Sequence, residues 1–196
     1  MTVLNRSAPP GKETKYARLE YERKFLLKNP QKLGVVRRVE ITDLYVSGSR
    51  VRLRRAVTVF DEAVGNEAVG NEAVDATVYK LTQKIPGPNG RPGLLTSFYL
   101  DDREYEAFSR LPGESLHKTR LSIPPLAIDC FTGPLEGLCL AEAEFETLAD
   151  MNAFTAPESV IGEVTEDVRF SGGQLVTTTR DALEKIVAEY GITLSR

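Results

Sequence analysis

The chain has 196 residues, 41% of them hydrophobic, and a formal net charge of −3. That length can bury a core without disulfide or metal staples. The mildly acidic balance argues against a globally basic nucleic-acid binder and against a basic membrane-surface protein. No apolar run reaches the roughly 18 residues of a membrane-spanning helix.

Residues 1–15 are polar, with Pro9, Pro10 and Gly11 and no apolar core of a signal peptide. They read as a flexible leader to a single domain over 16–196, placed in the cytoplasm. Period-2 alternation predicts strands over Arg18–Lys28 and Val35–Val46. The turn signal Ser47-Gly48-Ser49 leads to a strand over Arg50–Val59. The repeat Glu62-Ala-Val-Gly-Asn66, Glu67-Ala-Val-Gly-Asn71, Glu72-Ala-Val-Asp75 has a period that suits neither helix nor strand. Residues 61–76 read as an acidic surface loop, and without its five acidic residues the balance would be +2. Strands follow over Thr77–Ile85 and Gly93–Leu100, then a helix over Asp101–Leu111 with Asp at its start. Ser115–Ile123 is a strand ended by Pro124-Pro125, and Ala127–Phe131 with Gly137–Thr147 forms a hairpin. An amphipathic pattern predicts a helix over Gln174–Tyr190, stopped at Gly191. Many strands joined by turns, with few helices, predict an α+β chain dominated by an antiparallel barrel of about eight strands.

Several catalytic schemes lack their residues. His117 is the single histidine, so His-dependent hydrolysis would rest on it alone. Phosphate-loop and dinucleotide glycine motifs are absent. Cys130 and Cys139 flank a turn signal and could face each other; they read as two buried small apolar residues rather than a disulfide framework.

The charges lie on strand faces. Residues i, i+2 and i+4 of a strand project together. Glu20, Glu22 and Lys24 therefore share a face, as do Arg50, Arg52 and Arg54; Lys80, Thr82 and Lys84; Lys118 and Arg120; and Glu142, Glu144 and Glu146. Their opposite faces are apolar, as in Leu19-Tyr21-Phe25 and Ala143-Phe145. Arg grips planar oxyanions in a forked geometry, and paired carboxylates suit hard divalent cations. The pattern predicts that the charged faces line the barrel, the helices cover the apolar ones, and the interior takes a metal-bound polyphosphate.

These residues resemble the CYTH superfamily, the triphosphate tunnel metalloenzymes. The signature is Glu20-x-Glu22-x-Lys24, followed in order by Asp43-Leu44-Tyr45, Arg52-x-Arg54, Thr82-x-Lys84, Lys118-x-Arg120, Ile128-Asp129, Glu142-x-Glu144 and Glu163-Val164-Thr165-Glu166-Asp167-x-Arg169-Phe170. The resemblance implies an eight-stranded tunnel that hydrolyses inorganic triphosphate or a small organic triphosphate with Mg²⁺ or Mn²⁺. It implies metal-facing Glu20, Glu22, Glu142 and Glu144, with Asp129 as helper. It implies phosphate contacts from Arg52, Arg54, Lys84, Lys118 and Arg120, with Lys80 on the same face and Arg169 closing one end. Lys24 is the residue expected to orient the attacking water, beside Glu22. The strand Leu94–Leu100 lacks the carboxylates that many relatives carry there, which leaves a two-metal site open. Two alternatives stay open: an adenylate cyclase-type lyase and a non-catalytic polyphosphate-binding module. The expected partner is a triphosphate-containing small molecule, with no nucleic acid or membrane, in a monomer or homodimer.

Overall fold

The structure is a computed structural model that describes residues 16–27, 35, 37–59, 76–87 and 93–194. The predicted leader and nearly all of the acidic repeat lie outside the described residues. The strands are β1 (Arg18–Leu27), β2 (Arg37–Val46), β3 (Val51–Val59), β4 (Thr77–Ile85), β5 (Gly93–Leu100), β6 (Gly113–Ile123), β7 (Leu126–Phe131), β8 (Cys139–Phe145) and β9 (Val160–Glu163). The helices are α1 (Asp102–Ser109), α2 (Leu148–Ala153), α3 (Gly172–Leu175) and α4 (Arg180–Ala188).

The sheet runs β5-β4-β3-β2-β6-β7-β8-β1-β9, and an added β1–β5 pairing closes eight antiparallel strands into a barrel. One edge of β1 is divided between two partners. Arg18 to Glu20 pair with β5, and Phe25 to Leu27 pair with β9 outside the barrel. The other edge pairs with β8 from Tyr21 to Leu26.

Side-chain parity divides the wall into two faces. Inward on β1 point Glu20, Glu22, Lys24 and then Leu26; outward point Arg23, Phe25 and Leu27. The outward apolar residues of β1, β6, β7 and β8, including Phe25, Ile128, Ala141 and Ala143, pack with Phe154 and Val160 in one cluster. A second cluster has inward parity. Leu26, Leu116, Phe131 and Leu140 lie at one end of the barrel beneath Val164, Phe170, Leu175, Leu183, Val187 and Leu194. The C-terminal segment thus forms an apolar floor to the barrel. The expectation that the helices cover the apolar faces of the strands misses one feature: α3 and α4 close an end. The reason is that the inward face turns apolar over its last residues. Tyr45 packs against this floor, and a Cβ at Gly172 would overlap the Tyr45 hydroxyl, so any larger residue there would displace the Tyr45 ring.

The strand predictions match within a few residues. At the first helix, Asp101 caps the N-terminus in a reciprocal box with Glu104, and Tyr105 stacks on Tyr79 of β4. The single helix predicted over Gln174–Tyr190 is instead two. α3 ends at Leu175, and α4 starts afresh with Thr179 as N-cap, its side chain accepting from Ala182 N. The Thr177-Thr178-Thr179 run causes the break, because hydroxyls compete for backbone groups: Thr177 and Thr178 both bond Gln174 O. Leu183 and Val187 of α4 are fully buried, as the amphipathic pattern requires.

Cys130 stands opposite Cys139, with sulfurs 2.9 Å apart; both are free thiols, packed against the outer cluster. Among the described residues no helix is long and apolar enough to cross a membrane.

Candidate active site

Above the apolar floor the barrel interior becomes charged. β1 and β8 lie side by side, with Glu22 opposite Glu144 and Lys24 opposite Glu142. Across the β3–β4 ladder, Arg54 stands opposite Lys80 and Arg52 opposite Thr82. Arg120 on β6 stands opposite Asp129 on β7. Antiparallel register thus gathers side chains more than a hundred residues apart onto one inner surface.

Three ion-pair clusters organise that surface. In the first, Lys24 Nζ donates to Glu22 Oε1 at 2.8 Å, and Lys84 Nζ lies 2.7 Å from Glu22 and 2.5 Å from Glu20. Burial pushes the Glu22 carboxyl up, but the charges and hydrogen bonds of Lys24 and Lys84 outweigh it and bring its pKa down to about 2. Burial acts against Lys84 likewise, and Glu22 and Glu20 outweigh it, pushing its pKa up to about 12. Glu22 is therefore ionised at neutral pH and a weak proton acceptor.

The second cluster centres on Asp43, which is fully buried. Arg54 donates to both its oxygens, Nε and Nη2 each at 2.7 Å. Arg52 Nε lies 3.7 Å from Oδ1, is itself buried, and has no hydrogen-bond partner. Burial alone would raise the Asp43 carboxyl. The Arg54 hydrogen bonds, with the charges of Arg52, Arg54 and Lys118, hold it below the usual carboxylate range.

The third cluster centres on Asp129, 1% exposed. It accepts from Lys118 and, bidentately at 2.7 Å each, from Arg120 Nε and Nη2. Arg120 Nη2 also reaches Glu142 at 2.6 Å. Burial opposes ionisation of Asp129, but Lys118 and Arg120 prevail and keep it charged well below its ordinary range. Bidentate guanidinium–carboxylate pairs of this kind fix geometry as well as charge.

Beyond these clusters the interior opens. A cavity of about 380 Å³ is lined by Tyr16, Ala17, Arg18, Lys80, Leu95, Ser97 and Tyr99. Lys80 Nζ lies 5.2 Å from the Tyr99 ring centroid. The inward residues of β5 contribute no carboxylate; Ser97 bonds Thr82 at 2.9 Å.

Glu20, Glu22, Lys24, Arg52, Arg54, Lys80, Lys84, Lys118, Arg120, Asp129, Glu142 and Glu144 therefore all project from the predicted inward faces. Arg50 does not join Arg52 and Arg54: it lies exposed in the turn before β3. Arg169 pairs with Asp167 and Glu189 on the C-terminal segment, and Tyr190 donates to the same Asp167. Its ion pairs brace that segment rather than reach the inner charges. Asp43 is the inward residue that the sequence reading left unassigned. A lone Asp between Ile41 and Tyr45, sharing their face, was the available signal.

No protein-family model matches the chain, and no curated protein matches it. Among solved structures it is similar to NE1496, described once as an inorganic triphosphatase and once as a hypothetical protein. Each alignment has 22% identity and a TM-score of 0.50, and each spans 82% of this chain. The alignments cover 96% and 99% of the NE1496 chains. The chain shares their fold.

Among the described residues, no three His, Cys, Asp or Glu side chains stand together as a preformed metal site. The donor set nevertheless fits in type: Glu22 and Glu144 are cross-strand neighbours, with Glu20 and Glu142 the next inward residues, and all offer hard carboxylate oxygens. Lys24 and Lys84 hold the same positive charge against Glu20 and Glu22 that a divalent cation would supply.

Proposed function

We propose that this chain is a divalent-metal-dependent triphosphatase, hydrolysing inorganic triphosphate or a small organic triphosphate inside the barrel. The observation that carries this reading is the inner surface itself. Arg52, Arg54, Lys80, Lys84, Lys118 and Arg120 face inward together with Glu20, Glu22, Glu142 and Glu144, over an apolar floor. The fold shared with a protein described as an inorganic triphosphatase supports it.

A triphosphate carries its charge on oxygens that repel a nucleophile, so catalysis is mostly positioning and charge neutralisation. The basic side chains bind and align the chain of phosphates. The apolar floor limits how deep the chain can travel and excludes water from that end. Lys24, held by Glu22, orients a water toward the terminal phosphorus. The water's oxygen forms the new P–O bond, the anhydride bond breaks, and diphosphate leaves. Glu20, Glu22 and Glu144, with Glu142, would hold Mg²⁺ or Mn²⁺, which when bound neutralises phosphate oxygens. Asp129 is less available for that role because Lys118 and Arg120 already occupy both its oxygens.

A second reading, a non-catalytic polyphosphate-binding module, draws on one feature: β5 presents Leu95, Ser97 and Tyr99 where further carboxylates would complete a second metal position. A phosphate-release screen decides between them, using inorganic triphosphate, thiamine triphosphate and ATP, each with Mg²⁺ and with Mn²⁺. The triphosphatase reading expects metal-dependent orthophosphate release from at least one of the three. Binding without turnover under every condition favours the module, and cyclic AMP with diphosphate from ATP would mark a cyclase.

A further inference from the structure

Cys130 and Cys139 are reactive side chains that the proposed phosphate chemistry does not use. They project from the outer face of the β7–β8 hairpin, opposite in parity to Asp129 and Glu142, and each stands directly across the ladder from the other. In the next pair toward the turn, Phe131 N donates to Leu138 O at 3.0 Å. Hydrogen-bonded and non-hydrogen-bonded pairs alternate along an antiparallel ladder, so the cysteines form a non-hydrogen-bonded pair. Such a pair holds its Cα atoms about 4.5 Å apart, inside the roughly 4.4–6.8 Å span of a disulfide. The sulfurs face each other, with Cys139 Sγ donating to Cys130 Sγ at 2.9 Å. The backbone is therefore already placed for a bridge, and both residues are free thiols in this structure.

Apolar packing alone does not account for the pair. Ile128 and Ala141, the preceding outward pair on the same ladder, are wholly buried. Cys130 and Cys139 are half-buried instead, contrary to the expectation of two buried small apolar residues, and lie at the turn end of the hairpin. Thiols so placed are within reach of a small solute, which wholly buried ones are not. Their position also has a structural consequence. The chain between them, residues 131–138, supplies Phe131, Leu135 and Leu138 to the apolar floor. A bond between the two sulfurs closes that segment into a loop at its base.

We infer that Cys130 and Cys139 are a reversible dithiol–disulfide site, oxidised by exchange with a low-molecular-weight disulfide such as glutathione disulfide, and that the bridge staples the hairpin segment that helps to build the floor. In the first step the thiolate of one cysteine attacks a sulfur of the small disulfide. A mixed disulfide forms, the S–S bond of the small molecule breaks, and one small thiolate leaves and takes up a proton. The second cysteine, facing the first, gives up its proton and attacks the protein sulfur of the mixed disulfide. The internal bond forms and the second small thiolate leaves. The protein has then lost two electrons and two protons, and the small disulfide has become two thiols. The inference does not rest on the triphosphate ligand, so either reading can fail alone.

The test incubates the folded full chain with excess glutathione disulfide, then reads intact mass, free thiols and Tm. Wild type should lose both thiols and two hydrogen atoms of mass, with no glutathione retained, and dithiothreitol should restore the starting protein. The oxidised form should melt about 5 °C above the reduced one, because the closed loop constrains the unfolded chain. Cys139→Ser and Cys130→Ser each lack the second thiol, so each should keep one glutathione on the remaining cysteine and show no rise in Tm from an internal bridge. Wild type that retains both thiols, carries glutathione on both, or forms disulfide-linked dimers in place of the internal bond would overturn the site. An internal bond with unchanged Tm would overturn the staple. Single-cysteine variants that take up no glutathione would overturn the exchange route.

Discussion

Two sides of one barrel differ in how fully their basic residues are paired. On the β6–β7–β8 side, Lys118 and Arg120 close on Asp129 and Glu142, and the charges cancel within the wall. On the β1–β3–β4 side, Lys24, Arg54 and Lys84 are also paired, but Arg18 and Lys80 line a cavity with no carboxylate hydrogen-bonded to them among the described residues, and Arg52 Nε stays 3.7 Å from Asp43. Both sides present Arg and Lys at i, i+2 spacing. Asp129 lies directly opposite Arg120, whereas Arg52 stands between Tyr45 and Thr82. The i, i+2 spacing alone thus does not say which basic residue a carboxylate holds.

The contrast can be broken hardest on the compensated side. Asp129→Ala leaves Lys118 and Arg120 buried without their carboxylate, and should destabilise the fold by about 3–5 kcal/mol, read by denaturant unfolding. A loss under about 1 kcal/mol would mean that this wall is not held by the cluster. On the other side, Arg52→Ala removes a side chain whose Nε has no hydrogen-bond partner among the described residues. It should raise KM for inorganic triphosphate about tenfold, the equivalent of ~1.4 kcal/mol, while the unfolding midpoint barely moves.

The Glu22 cluster between the two sides makes a pH prediction. Its folded pKa, about 2, lies below the ordinary 4.5. A depressed acid stabilises the folded state above its unfolded value, and that stabilisation fades as pH falls from 4.5 through about 2. Tm measured across that window should drop less steeply in Glu22→Gln than in wild type; equal slopes would remove Glu22 from the account. The smallest effect belongs to the outer face. The Arg23–Glu163 pair has Glu163 41% exposed, so Glu163→Gln should cost under about 1 kcal/mol and leave phosphate release unchanged.

The architecture was largely legible in the residues, because strands with one charged and one apolar face announce both their period and their orientation. Thr77–Ile85 and Gly93–Leu100 match residue for residue. The inward charged rows were legible for the same reason. β9 was not read: its four residues, Val160–Glu163, are too few to show a period, and it is held by pairing with Leu26 and its neighbours. α2 escaped because Leu148–Ala153 is short and buries no residue, its start marked only by the Thr147 cap. The split between α3 and α4 was hidden by apolar spacing that continues across the Thr177–Thr179 break. Asp43 was quoted as part of a motif, but its role depends on Arg54 lying directly opposite on β3. Pairing across strands is what turns a lone carboxylate into a clamp, and a single strand's sequence does not contain it.

The central claim is that the inner carboxylates and cations together hydrolyse a triphosphate. Orthophosphate release from inorganic triphosphate, followed with and without Mg²⁺ in wild type and in Glu22→Gln, tests it most directly. The account predicts Mg²⁺-dependent release by wild type and loss of most of it in a Glu22→Gln protein that is still folded. Equal release by the two proteins at saturating Mg²⁺ would contradict it.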